Sequence, residues 1–387
     1  MYVYLIVNCL IFLSSSLCEN LFCRFKGTSK YATLLYKFWC VILLFLSAFR
    51  YGIGTDYWVY YDEYLNAAWR HADLNLISYT IHFLKICNLP FQIIIIICTC
   101  MFLLPVMYLI RQLCNNYKLF SLGVLMGLSY YVYSYNIFRQ YAAIGLMLLF
   151  LYKWVFTLEK RYLFALIIPV LIHPSSLVAI LVYCIIDKVK VKYKILQILA
   201  ILGIAVFLFV PVSVGSWIIR EGFQLFSNTI YGGYSTSQDT AFLMRIYNQN
   251  MEFVPKMLII PFLIALPIML NRVNESRNDL KRSSEMDKKQ IKLLYVQEFF
   301  LKIYFCYFLL MSLKIGSEIV TRFLMYFSIV SVWAIPMLLN STDINKWIKR
   351  ILILFIIVVS VRYHILWLNG NGCEAYPYQN IFSIILR

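Results

Sequence analysis

The fold is decided by Leu89-Pro-Phe-Gln-Ile-Ile-Ile-Ile-Ile-Cys-Thr-Cys-Met-Phe-Leu-Leu-Pro-Val-Met-Tyr-Leu-Ile-Arg111. No charge interrupts it before Arg111. As a helix rising about 1.5 Å per residue, Leu89 to Ile110 reaches roughly 33 Å. The hydrocarbon core of a bilayer is about 30 Å thick. This run therefore predicts a transmembrane helix, and the same test gives similar runs on both sides of it. The expected spans are 2–17, 31–49, 89–110, 119–135, 139–156, 195–214, 253–270, 295–313, 322–340 and 351–368. The run 2–17 has no basic stretch ahead of it and no small-residue cleavage site behind it, so it reads as a helix and not a signal peptide.

The composition agrees. The chain of 387 residues is 62% hydrophobic and 14% charged, where soluble domains run near 25% charged. Mean hydropathy is +0.75. These values exclude a disordered chain, a disulfide-rich secreted module and a soluble nucleotide-binding enzyme. The net charge of +17 is then a matter of orientation, not of nucleic-acid binding. Its excess lies in the connections Arg24–Lys30, Arg111–Lys118, Glu159–Arg161, Asp187–Lys194, Arg272–Lys292 and Lys346–Arg350. The positive-inside rule assigns these to the cytoplasm. The connections 50–88 and 215–252, together with the tail after 369, are polar and aromatic and are expected outside, as are both termini. The insert 271–294 reads as a cytoplasmic loop. The expected fold class is thus an all-α polytopic membrane domain over 1–387, with about ten full spans.

Residues 162–186 break the alternation, because basic stretches flank them on both sides. They are too few for two full spans. His173-Pro174-Ser175-Ser176 lies at their centre, and proline ends one helix and suits the first turn of the next. The expectation is a re-entrant or half-helix pair with His173 at its tip.

Arginines on the outer side defy the charge rule and so carry information. Arg50 ends the second span. Arg139 and Arg322 each begin a span entered from outside, where free N–H groups and the helix dipole favour an anion. The guanidinium fork suits phosphate oxygens. Each arginine alone is better read as snorkelling to lipid headgroups; Arg50, Arg139 and Arg322 together form a candidate diphosphate site. Arg245 lies late in the 215–252 loop. Asp56 follows Arg50 through a glycine turn, as an ion-pair brace or a general base. His173 is an ionisable group at membrane depth, hence a candidate base. The many outer tyrosines serve either an interfacial belt or a carbohydrate surface. The sequence holds no phosphate-binding glycine loop, no HExxH, no GxSxG, no paired-cysteine site and no Asp-x-Asp motif. Transfer chemistry without metal or cofactor is the expectation.

The string Arg50-Tyr-Gly-Ile-Gly-Thr-Asp-Tyr-Trp-Val-Tyr60 resembles the R-x-G-x-G-x-D-Y-x-x-Y signature of the EpsG family of bacterial polysaccharide polymerases. Asn136-Ile-Phe-Arg-Gln-Tyr-Ala-Ala143 is similar to its N-x-x-R-Q-x-x-A block. His173-Pro-Ser-Ser-Leu177 is similar to its H-x-S-A-L block, with Pro174 and Ser176 as departures. Arg322-Phe-Leu-Met-Tyr326 and Tyr376-Pro-Tyr378 resemble its late segments. The resemblance implies a working site of Arg50, Gly54, Asp56, Tyr57, Arg139, Gln140, His173 and Arg322. It implies an undecaprenyl-diphosphate-linked oligosaccharide as substrate, in the bacterial cytoplasmic membrane. A chain-length regulator and a flippase of the same pathway are the partners it implies, beside membrane lipid; nucleic acid is not one. The expected activity is polymerisation of lipid-linked repeat units, with His173 favoured over Asp56 as the base. A lipid-linked oligosaccharide flippase and a membrane acyltransferase are the rivals.

Overall fold

A computed structural model describes residues 2–19, 29–66, 75–114, 116–189, 192–209, 253–282, 288–312, 318–339, 346–370, 378–379 and 381–382. The expected loop 215–252, Arg245 included, lies outside the described residues. Among these residues the chain is helical, with no strand.

The helix Ser29–Ala48 (α2, after α1 over Tyr2–Cys18) shows why. Leu34, Phe38, Val41 and Phe45 recur at helical spacing and are all exposed, whereas Tyr36, Trp39 and Leu43 face inward and are buried. An apolar stripe of this length facing outward is an aggregation hazard in water and the natural surface in lipid. The inward face is polar only where it finds partners: Tyr36 Oη donates to the Met107 carbonyl at 2.6 Å and Trp39 Nε1 to Ser14 Oγ at 3.1 Å. Among the described residues, six helical stretches are long and apolar enough to cross a membrane: Lys30–Ala48, Gln92–Leu113, Phe138–Thr157, Leu258–Asp279, Lys288–Ser312 and Arg322–Leu339, the last with a turn inside it. Val3–Cys18 and Tyr193–Phe209 are apolar but shorter. The protein is an integral membrane protein of all-α class.

The chain divides into two compact units, Met1–Ile180 with Ile335–Arg387, and Leu181–Ala334. In the first, the segment after α2 forms two short helices, Thr55–Asn66 (α3) and Leu76–Ile86 (α4), packed on each other. Then come Gln92–Leu113 (α5), Lys118–Gly127 (α6), Tyr130–Tyr133 (α7) and Phe138–Thr157 (α8). Three shorter pieces follow: Lys160–Ala165 (α9), Ile167–Ile172 (α10) and Ser176–Lys188 (α11), whose residues from Leu181 on belong to the second unit. α5 and α8 form the tightest pair, since a Cβ on Gly145 would run into the backbone of Met101 and Phe102. The expected span 119–135 is divided at Ser129, whose φ of 60° is left-handed. The break expected in 162–186 falls at His173, which is extended ahead of Pro174.

One carboxylate organises the start of α6. Glu19, just past α1, accepts from the backbone amides of Leu119 (2.6 Å) and Phe120 (2.9 Å) and from Ser15 Oγ (2.8 Å). It is a helix cap supplied from another helix, for amides that would otherwise lack a partner. Burial pushes its carboxyl up to about 7, against the opposing pull of those two amides, the Ser15 hydroxyl and Lys118.

In the second unit, Tyr193–Phe209 (α12), Phe253–Arg282 (α13) and Lys288–Ser312 (α14) pack on one another, with Glu318–Ser328 (α15) on α14. The segment expected as the loop 271–294 is largely helical. α13 runs on to Arg282 and α14 begins at Lys288. The polar extension is held by Arg277, paired with the buried Glu298, which also takes Lys302 at 2.8 Å. The span 322–340 is divided between α15 and Ser331–Leu339 (α16). The last helix, Lys346–Gly370 (α17), belongs to the first unit and packs on α6 and α1.

Candidate functional site

α2 ends at Ala48, and the chain must turn into α3 within six residues. Arg50 controls the turn. Its guanidinium is buried, 1% exposed. Nη1 donates to the Ser47 carbonyl at 2.7 Å, to Ser47 Oγ at 3.2 Å and to Thr99 Oγ1 of α5 at 3.3 Å. Its Cζ lies 4.6 Å from the centre of the Tyr135 ring and 6.0 Å from that of Phe138. Burying a charge is costly unless it is hydrogen-bonded, and the ring face adds a cation–π contact. Gln92 Nε2 holds the other side of the turn by donating to the carbonyls of Ala48 (2.5 Å) and Arg50 (3.2 Å).

The two glycines of the turn are needed for different reasons. Both have positive φ, 63° at Gly52 and 99° at Gly54. Gly52 lies under Trp58, where a Cβ would come within 2.9 Å of Cζ2. At Gly54 a Cβ would meet backbone: the Tyr135 carbonyl and the Asn136 nitrogen. Only a residue without a side chain lets the two segments approach so closely. The approach lets the Asn136 side chain cap α3. Its Oδ1 accepts from the Thr55 amide at 2.9 Å and from the Thr55 hydroxyl.

α8 starts at Phe138, with Ile137 giving no side-chain cap. Arg139, half-buried in this first turn, stands with Cζ 5.7 Å from the centre of the Tyr60 ring. Gln140 beside it is buried, as is Tyr57 on α3. Asp56, half-buried, stands in the first turn of α3. Tyr60 packs edge-on against Phe138 at 4.8 Å between ring centres. Tyr57, Tyr60, Phe138, Ala142, Ala143 and Ile172 share one apolar cluster. Ile172 is the last residue of α10, so the cluster also fixes His173 next to it. His173 is half-buried, and its Nδ1 lies 2.6 Å from Ser175 Oγ. The C-terminal tail reaches the same turn: the Tyr51 amide donates to the Gln379 carbonyl at 3.0 Å, and Tyr378 Oη to the Leu46 carbonyl at 3.0 Å.

The sequence profile of the EpsG family matches residues 33–380. The chain belongs to the EpsG family. EpsG proteins are membrane-embedded polysaccharide polymerases, so membership carries an enzymatic role in polysaccharide biosynthesis. No curated protein and no solved structure matches the chain. In this EpsG protein the matched segment contains all the blocks that the sequence singled out. The R-x-G-x-G block and the N-x-x-R-Q block, separated by more than 80 residues, meet at the Gly54–Asn136 joint. Arg50, Gly54, Asp56, Tyr57, Arg139 and Gln140 thus belong to one locality, and His173 joins it through Ile172. Arg322 lies in the second unit, exposed on α15.

Thr99, Glu63 and His82 were not singled out from the EpsG sequence, and Asn136 was quoted only as the first residue of the N-x-x-R-Q block. Asn136 caps α3 although it is distant in the chain; the block it opens gives no hint of that contact, and only its residue type, common in helix caps, points to a cap. Thr99 gives Arg50 a hydroxyl from the middle of an apolar span. Glu63 and His82 form a buried pair at 3.6 Å between α3 and α4, and nothing in the loop's composition announces that pairing.

Proposed function

We propose that this EpsG protein polymerises lipid-linked repeat units on the outer face of the bacterial cytoplasmic membrane, with both termini outside. The growing glycan, held on a lipid diphosphate, is transferred to a hydroxyl of the next lipid-linked unit. A bond forms between the acceptor oxygen and the anomeric carbon. The bond from that carbon to the diphosphate breaks, and the lipid diphosphate leaves with the electron pair. The acceptor proton goes to a base of the protein.

Arg139 is the group we assign to the diphosphate. It stands at the start of a 20-residue helix, where backbone N–H groups and the dipole add to its own charge. Charge that builds on the departing oxygens is stabilised there. Gln140, next to Arg139 in the chain, is assigned to the same ligand, and Arg322 and the site residue Arg245 keep the roles that the sequence reading gave them. Arg50 is fully packed beneath the turn, so it acts by positioning Tyr135 and Phe138. His173 is preferred to Asp56 as the base. In the tautomer where Nδ1–H donates to Ser175 Oγ, Nε2 is the proton acceptor. A flippase and a chain-length regulator would supply and limit the substrate.

The observation that carries this reading is the meeting of the two family blocks at one joint, with a half-buried arginine at a helix start beside it. The test is Arg139→Ala expressed in cells lacking their own copy of the gene. The variant should reach the membrane in normal amounts and yield no long chains; a wild-type ladder of chain lengths would sink the assignment. Purified lipid-linked repeat units then separate the reading from its rivals: polymer supports it, whereas translocated monomer or an acylated product replaces it.

A further inference from the structure

One face of α3 sets aromatic rings beside polar groups. Trp58, Val59, Asp62, Leu65 and Asn66 are exposed and follow one another at helical spacing. Beside them runs a second row, Tyr57, Tyr61 and Tyr64. Tyr57 and Tyr61 stack with ring centres 6.1 Å apart and planes inclined by 23°; Tyr61 and Tyr64 do so at 6.4 Å and 23°. Trp58 stands edge-on to Tyr51, Tyr57 and Tyr61 at 6.0, 5.2 and 5.8 Å. Phe91 backs the row from α5's entry, at 5.4 Å from Tyr57, 5.3 Å from Tyr61 and 5.8 Å from Tyr64. Tyr64 is fixed by its hydroxyl donating to the Leu89 carbonyl at 2.9 Å. Tyr61 and Tyr64 are held against Phe91 before anything binds, so a ligand would pay little ordering entropy on them.

Membrane lipid does not fit this face. The exposed face of α3 sets Asp62 and Asn66 among its rings, whereas the outward stripe of α2 from Phe38 to Phe45 carries only Phe and Val. Asp62, exposed, accepts from Asn66 Nδ2 at 2.6 Å. Flat rings beside a carboxylate and an amide match a sugar, whose C–H faces are apolar and whose hydroxyls need hydrogen-bond partners. From Trp58 to Tyr64 the accessible rings rise about 9 Å along the helix, the length of about two pyranose rings. It is also continuous with the candidate site, because Trp58 lies on Gly52 and Tyr60, on the same helix, carries Arg139.

We propose that the aromatic face of α3, formed by Tyr51, Trp58, Tyr61 and Tyr64 with Asp62, binds the glycan chain of the lipid-linked substrate as it enters or leaves the transfer site. This rests on the polymerase reading above and adds to it the part of the substrate that the site grips. The grip keeps the chain attached between additions, so it sets the length of the product.

The test uses detergent-purified protein and soluble oligosaccharides made by partial hydrolysis of the producing strain's own polysaccharide. Wild-type protein should bind the fragments, followed by saturation-transfer NMR. The double variant Trp58→Ala/Tyr61→Ala should bind roughly tenfold or more weakly, the usual consequence of removing aromatic anchors from a binding surface. Asp62→Ala, which removes an exposed group and leaves the packing intact, should weaken binding as well. In a reconstituted assay, both variants should raise KM for the lipid-linked acceptor, largely keep kcat, and give shorter chains. Wild-type binding and wild-type lengths in both would overturn the proposal. So would a change confined to membrane extraction or to oligomeric state, which would assign the face to lipid or to a second copy. Fragment binding is scored without turnover. If wild-type protein binds fragments but makes no polymer, the polymerase reading fails and the glycan face stands.

Discussion

Gly54 and Gly52 allow the joint between the two family blocks to be tested by one methyl group at each position. At Gly54 alanine must adopt a φ near 99°, outside the wells open to an L side chain, at about 1–3 kcal/mol of strain. Its Cβ also meets the Tyr135 carbonyl and the Asn136 nitrogen. Those are backbone atoms and cannot rotate aside, so the segments must part. Parting them breaks the two bonds from Thr55 to Asn136, each worth about 0.5–1.5 kcal/mol net. The total is about 2–6 kcal/mol, a large share of the 5–15 kcal/mol that holds a typical protein together. At Gly52 the φ of 63° is ordinary left-handed backbone, costing about 1–2 kcal/mol for alanine. The obstructing atom there is the far edge of the Trp58 ring, which can swing outward. Gly54→Ala should therefore lower the melting temperature in detergent well below that of Gly52→Ala and abolish chain synthesis. Gly52→Ala should remain folded, with disturbed Trp58 packing. Equal melting temperatures, or a worse Gly52 variant, would refute the argument that the backbone approach at Gly54 is what constrains the turn.

Two further outcomes follow from caps supplied across the fold. Removing the Glu19 carboxylate in Glu19→Ala leaves the Leu119 and Phe120 amides without their acceptor, at about 1–3 kcal/mol each, and should lower the melting temperature accordingly. Its carboxyl sits at about 7 in the folded state, above its ordinary value, so the fold holds that proton more tightly than the unfolded chain does. The stability this contributes is complete below the ordinary carboxylate range and is lost as pH rises through about 7. Melting curves from pH 4 to 8 should show this loss in the wild type, and Glu19→Gln should flatten it; an unchanged slope would count against the buried carboxyl. Asn136→Ala should cost about 1 kcal/mol through the lost cap, and Asn136→Asp should recover it, because an anion is favoured at a helix start.

The spans were legible where a long apolar run also forms one unbroken helix. Residues 31–49, 89–110 and 139–156 became Ser29–Ala48, Gln92–Leu113 and Phe138–Thr157. The run 119–135 is divided into α6 and α7, whereas 322–340 answers to the candidate span Arg322–Leu339 with a turn inside it. Ser129 turns left-handed and donates its amide to Met126 at 2.9 Å, and Val330 donates to Phe327 at 3.3 Å. Hydropathy counts apolar side chains, whereas a break depends on whether local backbone bonds can be remade inside the protein. The converse misreading occurred at Asn271–Arg282, where polar residues continue a helix because Glu298 holds Arg277 and Lys302. The site residues were legible as family blocks, not as neighbours. That Asn136 caps α3, that Glu19 caps α6 and that Glu63 faces His82 are tertiary facts, each joining positions that no local pattern links.

Arg50 bears on where the positive charge of this chain acts. All its described hydrogen bonds go to neutral oxygens, and its face rests on an aromatic ring. A carboxylate partner would have made burial easier and cancelled the field. Neutral partners satisfy the N–H groups but leave the charge uncompensated, and in a poorly polarisable surround its potential is weakly screened. Arg139, on the helix that Phe138 ties to the same cluster, adds a second cation near that turn. On the proposed reading the buried arginine need never touch the diphosphate to favour it. It fixes the joint by contact and draws an anion toward Arg139 by its field. This assigns separate roles to two arginines that the sequence alone had placed in one.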